Sequence, residues 1–270
     1  MTEMIKVVIL AIVQGITEFL PISSSGHLVL AGHFLNVNTD DATLEVFLHF
    51  GTLLALLVFF RKRLVALSLN AVKGDKPTWN YLTMIGIAVI PAVLAYLAFK
   101  EKIEATFKNP QFVAPLLCVT GIILLLPKFF KPKTESAVVP DGKRITPLQS
   151  IAVGISQAIA LLPGISRSGT TITTARLTGV QPDAAAEFSF FIGIPLMAGA
   201  TLLKAFKLYK TAEYTISPLS MFVGVIVSAI IGYVSLVIVI NLLRKGKFWL
   251  FGIYCLAIGL CATAYLYLFN

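Results

Sequence analysis

The chain has 270 residues, 57% of them hydrophobic types and 13% charged, with a mean hydropathy of +0.87. Soluble domains carry roughly 45–50% apolar and about 25% charged residues, so a water-facing globular protein is excluded. The net charge of +9 belongs with loops that orient membrane spans and does not imply nucleic acid.

The apolar runs last about 17–25 residues, the length a helix needs to cross a hydrocarbon core about 30 Å thick, and they lack the short alternation of a β-barrel. The predicted fold class is an all-α polytopic membrane protein. In chain order, residues 44–60, 82–99, 113–130, 186–206, 218–243 and 248–268 are predicted to span. Segments 4–20 and 148–163 are also apolar, but each runs straight into a polar, glycine-bearing stretch. Lipid does not tolerate exposed irregular backbone at that depth, so 4–38 and 148–180 are predicted to be re-entrant helical hairpins. No cleavable signal is evident at the start. Cys118, Cys255 and Cys261 all lie in apolar runs, with no metal or redox spacing, and read as packing or lipid-facing residues.

Positive charge sets the expected orientation. The loops 61–81 (Arg61, Lys62, Arg63, Lys73, Lys76), 128–147 (Lys128, Lys131, Lys133, Lys143, Arg144) and 244–247 (Arg244, Lys245, Lys247) fall on the cytoplasmic side. Both termini then lie outside, and the two hairpins enter from opposite faces.

An offset of 143 positions superposes Gln14, Ile16, Ile22, Ser23, Ser25 and Gly26 on Gln157, Ile159, Ile165, Ser166, Ser168 and Gly169. One register shift later, Glu45 and Gly51 superpose on Glu187 and Gly193. Matches at Ser, Gly, Gln and Glu exceed what unrelated apolar segments would give. The expectation is an inverted-topology repeat of about six transmembrane helices plus two hairpins. Unit one covers about 1–112 and unit two about 147–270, linked through the basic loop 128–147. Such repeats place a site near the midplane, where half-helix N-termini face a cavity. Ser23 and Ser166 are predicted N-caps there, and their helix starts would form an anion site.

Polar residues at membrane depth need a partner or a cavity. They are Gln14, Glu18, Ser23, Ser24, Ser25 and His27 in the first unit, and Ser166, Arg167, Ser168, Thr170 and Thr171 in the second. Gln14 and Glu18 share a helix face and could present oxygens to Mg²⁺ or Ca²⁺. A helix starting at Ser24 would bring His27 within reach of the Ser24 hydroxyl. Arg167 suits bidentate phosphate contact. Together these are parts for phosphoryl transfer. The structural alternatives are close packing for Ser25, Gly26, Ser168 and Gly169, and a purely structural Glu18–Arg167 pair. Glu45 and Glu187 are expected to anchor the hairpins by accepting from their backbone N–H groups. His33, His49 and Arg176 receive no role.

The strings EFLPISSSGH (Glu18 to His27), LLPGISRSGTT (Leu161 to Thr171) and AAAEFSF (Ala184 to Phe190) closely resemble signatures of the undecaprenyl pyrophosphate phosphatase family, the bacitracin-resistance phosphatases. The resemblance spans the chain. It implies hydrolysis of the C55 isoprenoid pyrophosphate to the monophosphate, recycling a lipid carrier for cell-wall polymers in the bacterial plasma or inner membrane. It also implies dependence on a divalent cation and a site opening to the periplasmic or outer side. Carried over by position, Glu18, Ser24, His27 and Arg167 are the expected catalytic residues. Ser23, Ser25, Gly26, Ser166, Ser168, Gly169 and Thr171 surround the phosphate, and Glu18 with Gln14 holds the metal. Gln14 stands where a glutamate is common in the family. The acid-phosphatase-like lipid phosphatases also use a PSGH string, but no histidine follows His49 here, so that family is rejected.

The expected partners are a polyprenyl pyrophosphate and the bilayer. The sequence leaves the oligomeric state open, with a homodimer among the options. Either Ser24 attacks with His27 as base, or His27 activates water. The rival reading is a transporter or flippase of polyprenyl phosphates, which has no need of a hydroxyl beside an imidazole.

Overall fold

The structure is a computed structural model describing residues 3–35, 42–130, 145–211 and 216–268. The described residues fold entirely as helices and turns: α1 (Glu3–Phe19), α2 (Ser24–Leu35), α3 (Ala42–Phe59), α4 (Arg61–Val72), α5 (Lys76–Thr106), α6 (Pro110–Phe129), α7 (Pro147–Ile159), α8 (Arg167–Leu177), α9 (Pro182–Thr211), α10 (Pro218–Arg244) and α11 (Leu250–Leu268). The sequence dictates the helix starts locally. Asp75, Asn109, Thr146, Ser166 and Ser217 each accept a backbone N–H of the first turn, and Pro stands at the start of the helix each of them caps except α8. Thr146 and Gln149 complete a capping box.

By length and apolarity, α5, α6, α9, α10 and α11 can cross a membrane, and Val46–Phe59 of α3 forms a shorter apolar helix. The chain is a multi-pass membrane protein. Helices α1–α2 and α7–α8 pack as two contacting pairs at the two stretches read as hairpins. One expectation fails: the basic segment after α3 is not all loop. It holds α4, whose Leu64 and Leu67, with Phe60 just before it, pack on the core while Arg61 and Lys62 face out, an amphipathicity the cluster of basic residues masks. Lys131, Lys133, Lys143 and Arg144 lie outside the described residues, as does the side chain of Glu45.

Packing between the halves is reciprocal. Helix α1 lies against α10 and α7 against α5, while α3 meets α9 and α6 meets α11. The largest core cluster joins Phe19 and Ile22 of the first hairpin to Ile172, Phe188, Phe190 and Leu236 of the second half. The hairpin tips touch. A Cβ on Gly26 would lie 3.0 Å from the Gly164 Cα, so the absence of a side chain at Gly26 favours this close approach of α2 to the second tip. Thr120 of α6 ties that tip down, donating to the Gly164 carbonyl at 2.7 Å and accepting from Ser166 N–H at 2.9 Å. All three cysteines are free.

Candidate active site

At the first tip, Ser23 adopts φ +70°, a left-handed conformation that costs a non-glycine residue about 1 kcal/mol or more. Three hydrogen bonds compensate: the Ser23 Oγ caps α2 by accepting from Gly26 N–H at 3.2 Å, its carbonyl accepts from His27 N–H at 3.1 Å, and the His27 Nδ1 lies 2.8 Å from that same carbonyl. At the second tip Ser166 caps α8 through Gly169 N–H at 3.1 Å. The two predicted N-caps are therefore present. Each tip also pairs serines two apart, Ser23 with Ser25 at 3.3 Å and Ser166 with Ser168 at 3.4 Å.

Between the tips lies a cavity of about 60 Å³, lined by Thr17, Glu18, Ser23, Ser24, Ser25, Ala160, Ile165, Ser166, Arg167 and Ser168. Glu18, 7% exposed near the end of α1, is its hub. One oxygen accepts from Arg167 Nη2 at 3.1 Å; the other accepts from Ser24 Oγ at 2.6 Å and from Gln14 Nε2 at 3.1 Å. His49 of α3 brings its Nε2 to 3.6 Å from that second oxygen. A buried carboxylate in hydrocarbon is sustained only by such a donor set. Gly193 of α9 makes room for Arg167, because a Cβ there would collide with the guanidinium; Met197 Sδ lies 3.4 Å from Nη2.

The structure brings together Glu18, Gln14, Ser23, Ser24, Ser25, Ser166, Arg167 and Ser168, but it departs from the sequence reading at three places. First, His27 and Ser24 do not pair. A backbone carbonyl can only accept, so His27 Nδ1 carries the proton to Ser23 O, and Nε2 is left to accept from the Tyr254 hydroxyl at 3.0 Å on α11. The two rings stack with an interplanar angle of 10°. Second, Gly26 and Gly169 spend their N–H groups on the caps instead of offering them to the cavity. Third, Thr171 sits off the cavity, its hydroxyl 2.7 Å from the Arg167 carbonyl and 2.6 Å from Ser189 Oγ, where it ties α8 to α9. Glu187 accepts from Arg63 Nε at 3.2 Å and from Tyr81 OH at 3.5 Å.

The sequence reading missed His49 and Tyr254. His49 carried the same signal that singled out His27, an ionisable side chain within a span. Tyr254 carried none, since an aromatic residue in an apolar helix is ordinarily packing.

The family model described as bacitracin resistance protein BacA matches residues 7–261. The chain is 37% identical over 258 residues to the undecaprenyl-diphosphatase of Halothermothrix orenii, covering 96% of both chains. It is 34% identical over 268 residues to that of Salinibacter ruber, covering 94% of this chain and 96% of the relative. To undecaprenyl-diphosphatase 1 of Clostridioides difficile it is 37% identical over 273 residues, covering 98% and 97%. The site just described therefore sits in a member of the bacitracin resistance protein BacA family, and to that family the chain belongs.

Proposed function

We propose that the chain hydrolyses undecaprenyl pyrophosphate to the monophosphate and inorganic phosphate, the reaction for which its relatives are named. The observation that carries this reading is the Ser24 hydroxyl hydrogen-bonded to a buried carboxylate that also pairs with Arg167. A carrier has no use for that arrangement.

The cavity of about 60 Å³ holds roughly two waters by liquid volume, so a pyrophosphate enters only as Arg167 exchanges Glu18 for phosphate. Arg167 then grips the terminal phosphate bidentately, and the N-termini of α2 and α8 add their dipoles. Ser24 Oγ attacks phosphorus in line, passing its proton to the Glu18 oxygen it already contacts. The lipid monophosphate leaves. Water next attacks the phosphoserine, its hydroxyl joining phosphorus and its other proton leaving on the inorganic phosphate, as Glu18 returns its proton to the departing Ser24 Oγ. Positioning and electrostatic stabilisation by Arg167 and the helix termini supply most of the rate. His27 acts as a positioning residue, holding the strained Ser23 carbonyl that aims Ser24.

Gln14 and Glu18 fit a divalent cation such as Mg²⁺ or Ca²⁺. Gln14 Oε1 is buried without a hydrogen-bond partner among the described residues, beside the carboxylate. With two protein oxygens, such a cation would keep water and phosphate oxygens in the rest of its shell. When bound, the cation supplies charge neutralisation across the two phosphates. The two halves act as inverted repeats, a reading supported by the reciprocal packing of α1 on α10 and α7 on α5. Positive charge on the α3–α4 and α10–α11 connections supports a cytoplasmic location for those ends; the substrate entrance is read, from the family resemblance, on the periplasmic side, with the polyprenyl tail in lipid.

The experiment is phosphate release from undecaprenyl pyrophosphate by the purified chain in detergent, with Mg²⁺ and with chelator. Release that chelator stops supports the reading; no release with Mg²⁺ present, or release indifferent to chelator, contradicts it.

A further inference from the structure

A second cavity of about 260 Å³ lies where the end of α3 meets the start of α9 and the end of α10. Its polar wall consists of Asp183, Glu187, Asn241 and Arg244, and its apolar wall includes Phe59 and Phe60. We infer that this cavity binds the headgroup of a phospholipid carrying both a phosphate and a primary ammonium, a phosphoethanolamine lipid of the leaflet beside the basic loops.

The argument begins with the charges. Asp183 and Glu187 are four residues apart on the first turns of α9 and so share one face. Each carboxylate is paired with an arginine from a different helix: Asp183 with Arg244 Nε at 2.8 Å, Glu187 with Arg63 Nε at 3.2 Å. Both contacts use Nε, leaving the paired terminal nitrogens of Arg244 to meet a phosphate in the bidentate geometry guanidinium favours. The charged residues that line the opening are two carboxylates, Asp183 and Glu187, and one arginine, Arg244. A purely anionic headgroup would gain one arginine but lie against two carboxylates, whereas an ammonium one ethylene away from a phosphate meets the complementary sign at both ends. The ammonium must also donate hydrogen bonds to the carboxylates, which a trimethylated headgroup cannot do.

The apolar side completes the fit. Below the headgroup level, Val234, Val237 and Ile238 of α10 are each 40–49% exposed, a strip along which acyl chains lie. Arg61, Arg63, Arg244 and Lys245 mark this end of the molecule as the interfacial level of one leaflet. This site shares no residue with the cavity between the hairpin tips, so it stands whether or not the phosphatase reading does.

The test is native mass spectrometry of the delipidated full chain with palmitoyl-oleoyl phosphatidylethanolamine, phosphatidylglycerol and phosphatidylcholine at equal concentration. The ethanolamine lipid is expected to bind tightest. Arg244→Gln and Asp183→Asn are each expected to weaken it about tenfold, the worth of one charge-assisted hydrogen bond. Both positions are more than half exposed, so the fold tolerates the changes, and phosphate release in lipid-free detergent is expected to stay at the wild-type rate. Equal or tighter binding of either other lipid, or a preference for ethanolamine that survives both substitutions, overturns the inference.

Discussion

Glu18 and Arg167, 149 positions apart in sequence, form an ion pair of 3.1 Å across the two hairpin tips, with the Glu18 side chain only 6% exposed. Removing one partner deprives the other of its opposite charge, and breaking a buried pair in this way costs about 3 kcal/mol. Arg167→Leu and Glu18→Gln should each lower the thermal stability of the detergent-purified protein, while the double variant recovers much of the loss. A double-mutant cycle by thermal unfolding measures that coupling.

Ser24 lies 2.6 Å from its proton acceptor. Ser24→Ala is expected to lower the hydrolysis rate by on the order of 10³-fold. Acid quenching of a reaction with terminally labelled pyrophosphate should leave label on Ser24. Label absent from the protein while turnover proceeds would assign the attack to water.

Gly193→Ala places a methyl group against the Arg167 guanidinium, whereas a Cβ on Gly199 of the same helix meets nothing within 4 Å. The Gly193 variant should lose activity about as Arg167 variants do, and Gly199→Ala should retain it. Parallel phosphate-release assays and circular dichroism separate this effect from misfolding.

Tyr254→Phe keeps the ring stacked on His27 but removes the hydroxyl at 3.0 Å from Nε2. The expected result is a fall in kcat of about tenfold or less with little change in KM, since a neutral hydrogen bond contributes about 1 kcal/mol. Nitrogen-15 spectra of labelled histidine should show the Nδ1–H tautomer of His27 in the wild type and a more mixed population in the variant.

Gln14→Glu converts a buried neutral oxygen donor into a charged one beside Glu18. It should tighten the cation requirement, so that the activity of the variant saturates at lower Mg²⁺ than the wild type. Titrating Mg²⁺ against phosphate release after chelation measures this.

Much of this was legible in the residues. Apolar run lengths marked α3, α6, α10 and α11 to within a few residues, while α5 and α9 extend beyond the predicted 82–99 and 186–206; the Ser–x–Ser–Gly echo at 23–26 and 166–169 marked both tips, because N-cap chemistry is local. Arg167 and Glu18 were legible as charges that lipid would not tolerate alone. The direction of His27 was not. Residue spacing says which side chains share a helix face, but the competing acceptor here is the carbonyl of Ser23, exposed by its left-handed backbone. Nor was Thr171 or Glu187, whose partners Ser189, Arg63 and Tyr81 are fixed by how helices far apart in sequence pack. The small α4 was hidden by its own charges.

The central claim is that residues from both hairpins form one phosphate-cleaving site, and the most direct measurement is phosphate release from undecaprenyl pyrophosphate under saturating Mg²⁺ by Glu18→Gln and by Arg167→Gln. The account expects each single variant, one from each hairpin, to fall by about 10²-fold or more. A near-normal rate in either, from protein shown to be folded, would contradict it.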